Sequence, residues 1–186
     1  MAKRDISKIL VVDVESTCNE PQPKNFISEI IEIGVAELDT KSLKVVKSGS
    51  IFIKPQFSEI TQFCTDLTSI TPEMVNSLGV SFFHACMKLE TEYGCKNKTW
   101  ASFGYYDKGI FEKNAILHNV QSPFKYNNHI NIKNFYAASM GRNKEKGMPG
   151  VLSDLGLSLE GRHHRGVDDA YNIAQILAEL FRRIRQ

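Results

Sequence analysis

The chain has 186 residues, 42% of them hydrophobic and 24% charged, a composition that excludes a disordered or low-complexity protein and suits one domain, residues 1–186, with a sizeable core. A formal net charge of +2 excludes a basic coat that holds nucleic acid by charge alone, so a polyanionic partner requires a local site. No apolar run approaches the roughly 18 residues of a membrane span, residues 1–8 are too polar for a signal core, and Cys18, Cys64, Cys86 and Cys95 form no C-x-x-C pair, so the expectation is a cytoplasmic protein with reduced thiols and no structural zinc.

Residues 9–12 (Ile-Leu-Val-Val) are an uncharged run that suits a strand buried on both faces, and the run ends in Asp13-Val14-Glu15-Ser16-Thr17. Side chains alternate along a strand, so Asp13 and Glu15 project to one side about two residue rises apart. They stand at the strand's carboxyl end, the edge at which open α/β sheets bind ligands. Residues 18–25 carry two prolines and read as a loop. Residues 29–39 alternate apolar and polar, with Ile31, Ile33 and Val35 on one side of a second strand, and 43–53 give a third. The short connections favour antiparallel pairing. Residues 55–76 read as irregular, except that Thr71-Pro72-Glu73 starts a short helix in the order cap, proline, acid. An amphipathic helix follows over 81–93, with Phe82, Ala85, Cys86 and Leu89 on one stripe.

Residues 98–103 are another strand, and the turn after it carries Asp107 at a strand-to-helix junction. An acid in the first turn of a helix also complements the macrodipole, so alone it says little. The helix runs to about His118, with Ile110, Ala115 and Leu117 for packing. Residues 129–132 form a short fifth strand leading into a helix to about Met140. Residues 141–150, with Arg142, Lys144 and Lys146, read as a solvated surface loop, and 151–155 as a short helix. The last helix is the clearest: Ala170, Ile173, Ala174, Leu177, Phe181 and Ile184 recur at three and four, and Arg182, Arg183 and Arg185 suit the negative end of its dipole.

Just before that helix stands His163-His164-Arg165-Gly166-Val167-Asp168-Asp169. With Asp13 and Glu15 ending one strand and Asp107 following another, all the acids fall at element ends that one crevice can gather. Clustered carboxylates raise one another's pKa unless countercharge is supplied. Magnesium takes hard oxygen ligands and keeps room for water and substrate phosphate, and a pair of ions can clamp both oxygens of an in-line displacement. A neutral histidine then serves as proton acceptor. Two registers share the same separation, His163 with Asp168 and His164 with Asp169. The second is preferred because Asp169 leads directly into the stripe of Ala170, Ile173 and Leu177, leaving Asp168 as helix cap.

At these residues the chain closely resembles the DEDDh family of 3′-to-5′ exonucleases, in the RNase H-like superfamily. Asp13-x-Glu15 matches its first motif, Asp107 its second, and His164-x-x-x-x-Asp169 its third. More narrowly, Asp13 to Cys18, then Phe63-Cys64-x-x-Leu67-Thr68-x-Ile70, and Gly166-x-Asp168-Asp169 followed by Asn172-Ile173-Ala174 are similar to the subgroup of the histone-mRNA 3′ exonuclease and the KapD-type bacterial proteins. Ser16 stands where the subgroup usually has alanine, and Tyr106 where tryptophan is frequent. The resemblance implies an α/β, RNase H-like mixed five-stranded sheet, second strand antiparallel, with helices on both faces. It implies that Asp13, Glu15, Asp107 and Asp169 bind two magnesium or manganese ions, with His164 as general base. The implied partner is a single-stranded 3′ end of RNA or DNA, and the implied product a nucleoside 5′-monophosphate. Ser16, Thr17, Phe63, Leu67, Thr68 and Tyr106 are the candidate contacts with the terminal nucleotide, since an aromatic or apolar face grips any base. Two other readings compete: a phosphoesterase for nucleotides or very short oligonucleotides, and a binding module that has lost its chemistry. The excess of carboxylates opposes the second, because binding a polyanion needs none.

Overall fold

The computed structural model describes residues 5–142 and 144–185, apart from the side chains of residues 5 and 126. Part of the polar segment 1–8, and one residue of the loop 141–150, therefore lie outside the described residues. Five strands form one mixed sheet: β1 (Asp5–Ser16), β2 (Ile30–Asp39), β3 (Lys44–Phe52), β4 (Lys98–Ser102) and β5 (His129–Asn131), in the order β3-β2-β1-β4-β5. β2 is antiparallel to both β1 and β3, as expected, and β4 and β5 run parallel to β1.

The alternation in β1 builds two cores. Leu10, Val12 and Val14 join one cluster with Phe82 and Leu89 of α3 (Phe82–Tyr93) and Phe111 of α4 (Tyr106–Leu117). Ile9 and Val11 join the other, with α5 (Ile132–Ser139), α6 (Met148–Leu155) and α7 (Gly166–Ile184). Leu10, Val11 and Val12 are fully buried, each contributing about 1.5–3 kcal/mol relative to exposure. Helices thus cover both faces, and the odd-numbered row of β1 continues into Asp13 and Glu15 on the α7 side.

Several local expectations change. Within residues 55–76 the short helix expected behind Thr71 is present as α2 (Pro72–Leu78), but a further helix, α1 (Gln62–Thr68), precedes it, and Thr61 caps α1 by accepting the Cys64 N–H at 3.1 Å. Seven residues are too few to show a helical period, so only the cap could have signalled it. The loop expected to Gly150 ends at Gly147, where α6 begins. β2 is buried on both faces rather than alternating, because α7 lies across Gly34 and Ala36. A side chain at Gly34 would come within 1.9 Å of the Gly166 backbone, so strand and helix touch there through glycine. In α7 the stripe holds through Phe181, which packs partly buried against the core, but Ile184 is 58% exposed. Arg182 and Arg183 pair with Glu179, and Arg185 donates to the Thr40 carbonyl at 2.6 Å, which gives all three arginines structural partners.

Asp168 is not the cap of α7. The capping position is Arg165, and the first helical N–H, that of Gly166, donates to Glu32 Oε2 at 3.0 Å. A carboxylate from β2 thus supplies the anion that a helix N-terminus favours. Asp168 instead accepts the Arg162 N–H at 2.9 Å and closes the preceding loop.

Candidate active site

The parallel pairing of β1 with β4 ends at Val11, which leaves the Val14 N–H without a strand partner on that side. Asp107 Oδ1, from the first turn of α4, accepts it at 3.1 Å and is fixed against β1 between Asp13 and Glu15. The contact of Gly34 with Gly166 sets the first turn of α7 over the same place, which delivers Asp169. Carboxylate oxygens of Asp13, Glu15 and Asp169 lie within 4.8 Å of one another. These three acids, Asp107, His163 and His164 all line one open cleft of about 290 Å³.

Burial and mutual repulsion define the electrostatics. Burial, then the charges of Asp107, Glu15 and Asp169, raise Asp13 well above the ordinary carboxylate range. Burial and the neighbouring acids lift Glu15 from 4.5 to about 8. Burial lifts Asp107 to about 6, against the pull of the Val14 and Asp107 N–H groups and the Ser102 hydroxyl. Asp169 is raised too, mainly by burial, although the His164 N–H and the His163 ring oppose it. The nearby guanidinium of Arg165 is already paired with buried Glu32, at 3.2 Å. An oxygen-only donor set this short of countercharge fits magnesium or manganese.

Both histidines reach Asp169, by different atoms. The His163 ring meets it with Nδ1 at 3.0 Å from Oδ2, whereas His164 donates its backbone N–H to Oδ2 at 2.9 Å. The two rings stack at 4.0 Å between centroids, and among the described residues the His164 ring makes no hydrogen bond. His164 adopts a left-handed backbone, φ 65°, and a ring nitrogen of each histidine lies within 4.8 Å of an Asp169 oxygen. Burial and the His163 charge keep its pKa below the ordinary 6.5.

The expected nucleotide contacts are dispersed. Tyr106 is 60% exposed at the cleft mouth, and its hydroxyl shares a 2.7 Å hydrogen bond with Ser16 Oγ. It also lines an adjoining pocket of about 450 Å³ with Thr17, Phe26, Ser28 and Asn114. Thr17 is fully buried, accepting the Glu29 N–H at 2.9 Å and bonding Ser58 Oγ. Thr68 is also buried, its hydroxyl donating to the Cys64 carbonyl and accepting from Ile70 N–H, so it holds the end of α1. Phe63 and Leu67 lie on α1 and line neither cavity, Leu67 being exposed. Lys133, Gly147 and Met148 complete the cleft wall and were not singled out from the sequence. Lys133 lies one position past the expected fifth strand, and the other two were assigned to a surface loop, so no local signal marked them.

Carboxylates gathered from β1, α4 and α7 over a mixed five-stranded sheet define the RNase H-like, DEDDh class of nuclease. The chain belongs to the exonuclease family, whose RNase_T model matches residues 10–177. It is 31% identical to 3'-5' exoribonuclease 1 of Rattus norvegicus over 92% of this chain and 52% of that protein. It is 29% identical to the Bacillus subtilis (strain 168) protein named "Probable 3'-5' exonuclease KapD", over 88% of this chain and 80% of that one. Among solved structures, the nuclease domain of 3'hExo, a DEDDh family member bound to rAMP, superposes with a TM-score of 0.88 at 27% identity, covering 98% of this chain and 95% of that one. The chain spans about half the length of the mammalian exoribonuclease it matches. Among the described residues no helix is long and apolar enough to cross a membrane.

Proposed function

We propose that this protein is a metal-dependent 3′-to-5′ exonuclease acting on single-stranded 3′ ends of RNA or DNA, releasing nucleoside 5′-monophosphates, with residues 1–186 as one exonuclease domain. The observation that carries the reading is the convergence of Asp13, Glu15 and Asp169 oxygens within 4.8 Å beside Asp107 in an open cleft. These four acids would hold two magnesium or manganese ions. When bound, such a pair supplies charge stabilisation for both the attacking and the leaving oxygen of an in-line displacement. His164 takes the proton of the attacking water, a role supported by a ring pKa held below 6.5 and, among the described residues, by the absence of a competing hydrogen bond. His163 orients Asp169 through Nδ1. Tyr106, anchored through its hydroxyl on Ser16, offers a ring on which the terminal base stacks. The relatives support this reading, one named an exoribonuclease and another crystallised with rAMP. The four cysteines are free, which supports a reducing, cytoplasmic compartment.

A 3′-phosphate on the substrate is expected to block release, because added charge and bulk would sit beside acids that must hold the scissile phosphate. Comparison of 3′-hydroxyl, 3′-phosphate and circular single strands checks this by gel. Efficient cleavage of the circle would make the protein an endonuclease.

A further inference from the structure

We propose that Lys133 is a substrate-contact residue, one that leaves Glu145 to take a non-bridging phosphate oxygen of the strand in the cleft. Lys133 stands in the first turn of α5 and lines the same cleft as Asp13, Glu15, Asp107 and Asp169. Among the described residues that line it, Lys133 is the one lysine or arginine. Its ammonium meets Glu145 Oε2 at 3.2 Å, with 31% of the lysine side chain and 50% of the glutamate's exposed. An ion pair this open to solvent favours its closed form by no more than about fivefold. A charge-assisted bond to a phosphate is worth about tenfold or more, so an arriving phosphate displaces the glutamate.

The surrounding charges leave this role to Lys133. Arg165 is held by Glu32, and Arg142 and Lys146 both bond Asp154, at 3.0 and 2.8 Å. Asp154 is 20% exposed against 50% for Glu145, so Arg142 and Lys146 share the more enclosed carboxylate while Lys133 has the more open partner. Glu145 is then a gate on the cation: it occupies Lys133 when the cleft is empty and releases it when a phosphate arrives.

This inference rests on the nuclease reading, and the test separates the two. KM and kcat for a single-stranded oligonucleotide are measured over a range of salt for the wild type, Lys133→Ala, Lys133→Arg, Glu145→Gln and the double variant. Lys133→Ala should raise KM about tenfold and reduce the slope of log KM against log salt by about 0.7, the value for one phosphate contact on a single strand. Lys133→Arg should restore most of the affinity. Glu145→Gln should lower KM about two- to fivefold, and that gain should vanish in the Lys133→Ala background, because it acts through the lysine. Damage to the fold cannot mimic a pattern in which the two partners move KM in opposite directions. A wild type that hydrolyses the oligonucleotide beside a Lys133→Ala variant with unchanged KM overturns the inference alone. So does a Glu145→Gln variant that raises KM, since the pair would then merely support the wall. A wild type without hydrolysis overturns the nuclease reading and this inference with it.

Discussion

Replacing His164 with alanine is expected to cut turnover about 10²- to 10⁴-fold, the usual worth of a general base, while replacing His163 costs much less. The two residues are adjacent, partly buried and stacked ring on ring, so each variant removes the same bulk from the same place. What differs is the bonding. His163 spends Nδ1 on Asp169, so its loss removes an orienting contact from one acid. The Asp169 carboxylate keeps its backbone bond from residue 164 in either variant, because that bond uses no side chain. Removing the His164 ring takes from the cleft the histidine ring that, among the described residues, no hydrogen bond holds to an acid. The acid limb of the pH–rate profile follows with a definite sign. Burial and the neighbouring His163 charge hold the His164 pKa below 6.5, so the rate should hold at pH 6.5 and fall only at more acid values. Side-by-side rates on the two alanine variants decide the assignment: a crippled His163 variant beside a near-normal His164 variant would transfer the role.

The second large effect is on stability. Without divalent metal, the protein should become less stable as pH rises from about 4 to about 8, opposite to the trend that salt-bridged carboxylates give. Glu15 shifts from 4.5 in the unfolded chain to about 8, and Asp107 from 3.8 to about 6, with Asp13 raised as well. The folded state therefore binds more protons across this window. The stability these groups contribute is full below their unfolded values and is lost as pH passes through the folded ones. Magnesium or manganese should flatten the slope by supplying the missing countercharge, so the metal-induced rise in Tm should grow with pH. Asp13→Asn should abolish turnover and yet raise the Tm of the metal-free protein at pH 8, because one repelling charge is gone. Calorimetry on the wild type and variant with chelator and with metal checks both statements. A metal-free Asp13→Asn protein markedly less stable than the wild type would make Asp13 a structural residue instead.

These sites were legible in the sequence to the extent that local periodicity determines them. The two-residue period of β1 places Asp13 and Glu15 on one face whatever the rest of the chain does, and the helical period of α7 fixes Asp169 above its buried stripe. Asp107 showed as an acid at a strand-to-helix junction, though its bond to the Val14 N–H depends on where the β1–β4 ladder stops. What stayed hidden depends on distant partners. Glu32 caps α7 from 134 positions away, a partnership that local periodicity does not show. Its one local mark is a charge within the otherwise apolar run from Ile30 to Val35. Thr17 and Thr68 were read as nucleotide contacts, whereas in the fold their hydroxyls join backbone segments. A hydroxyl looks the same in sequence whether it faces a ligand or a buried N–H. Lys133 is one lysine among many in the sequence until the fold brings it, half-buried, into the wall of the cleft that holds the acids.

The most direct measurement is a time course on 5′-end-labelled RNA and DNA oligomers of several lengths, in chelator and then with magnesium or manganese added. The account predicts a ladder shortening by single nucleotides from the 3′ end, with nucleoside 5′-monophosphate as product, only when the metal is present. Undiminished turnover after exhaustive removal of divalent ions would contradict it.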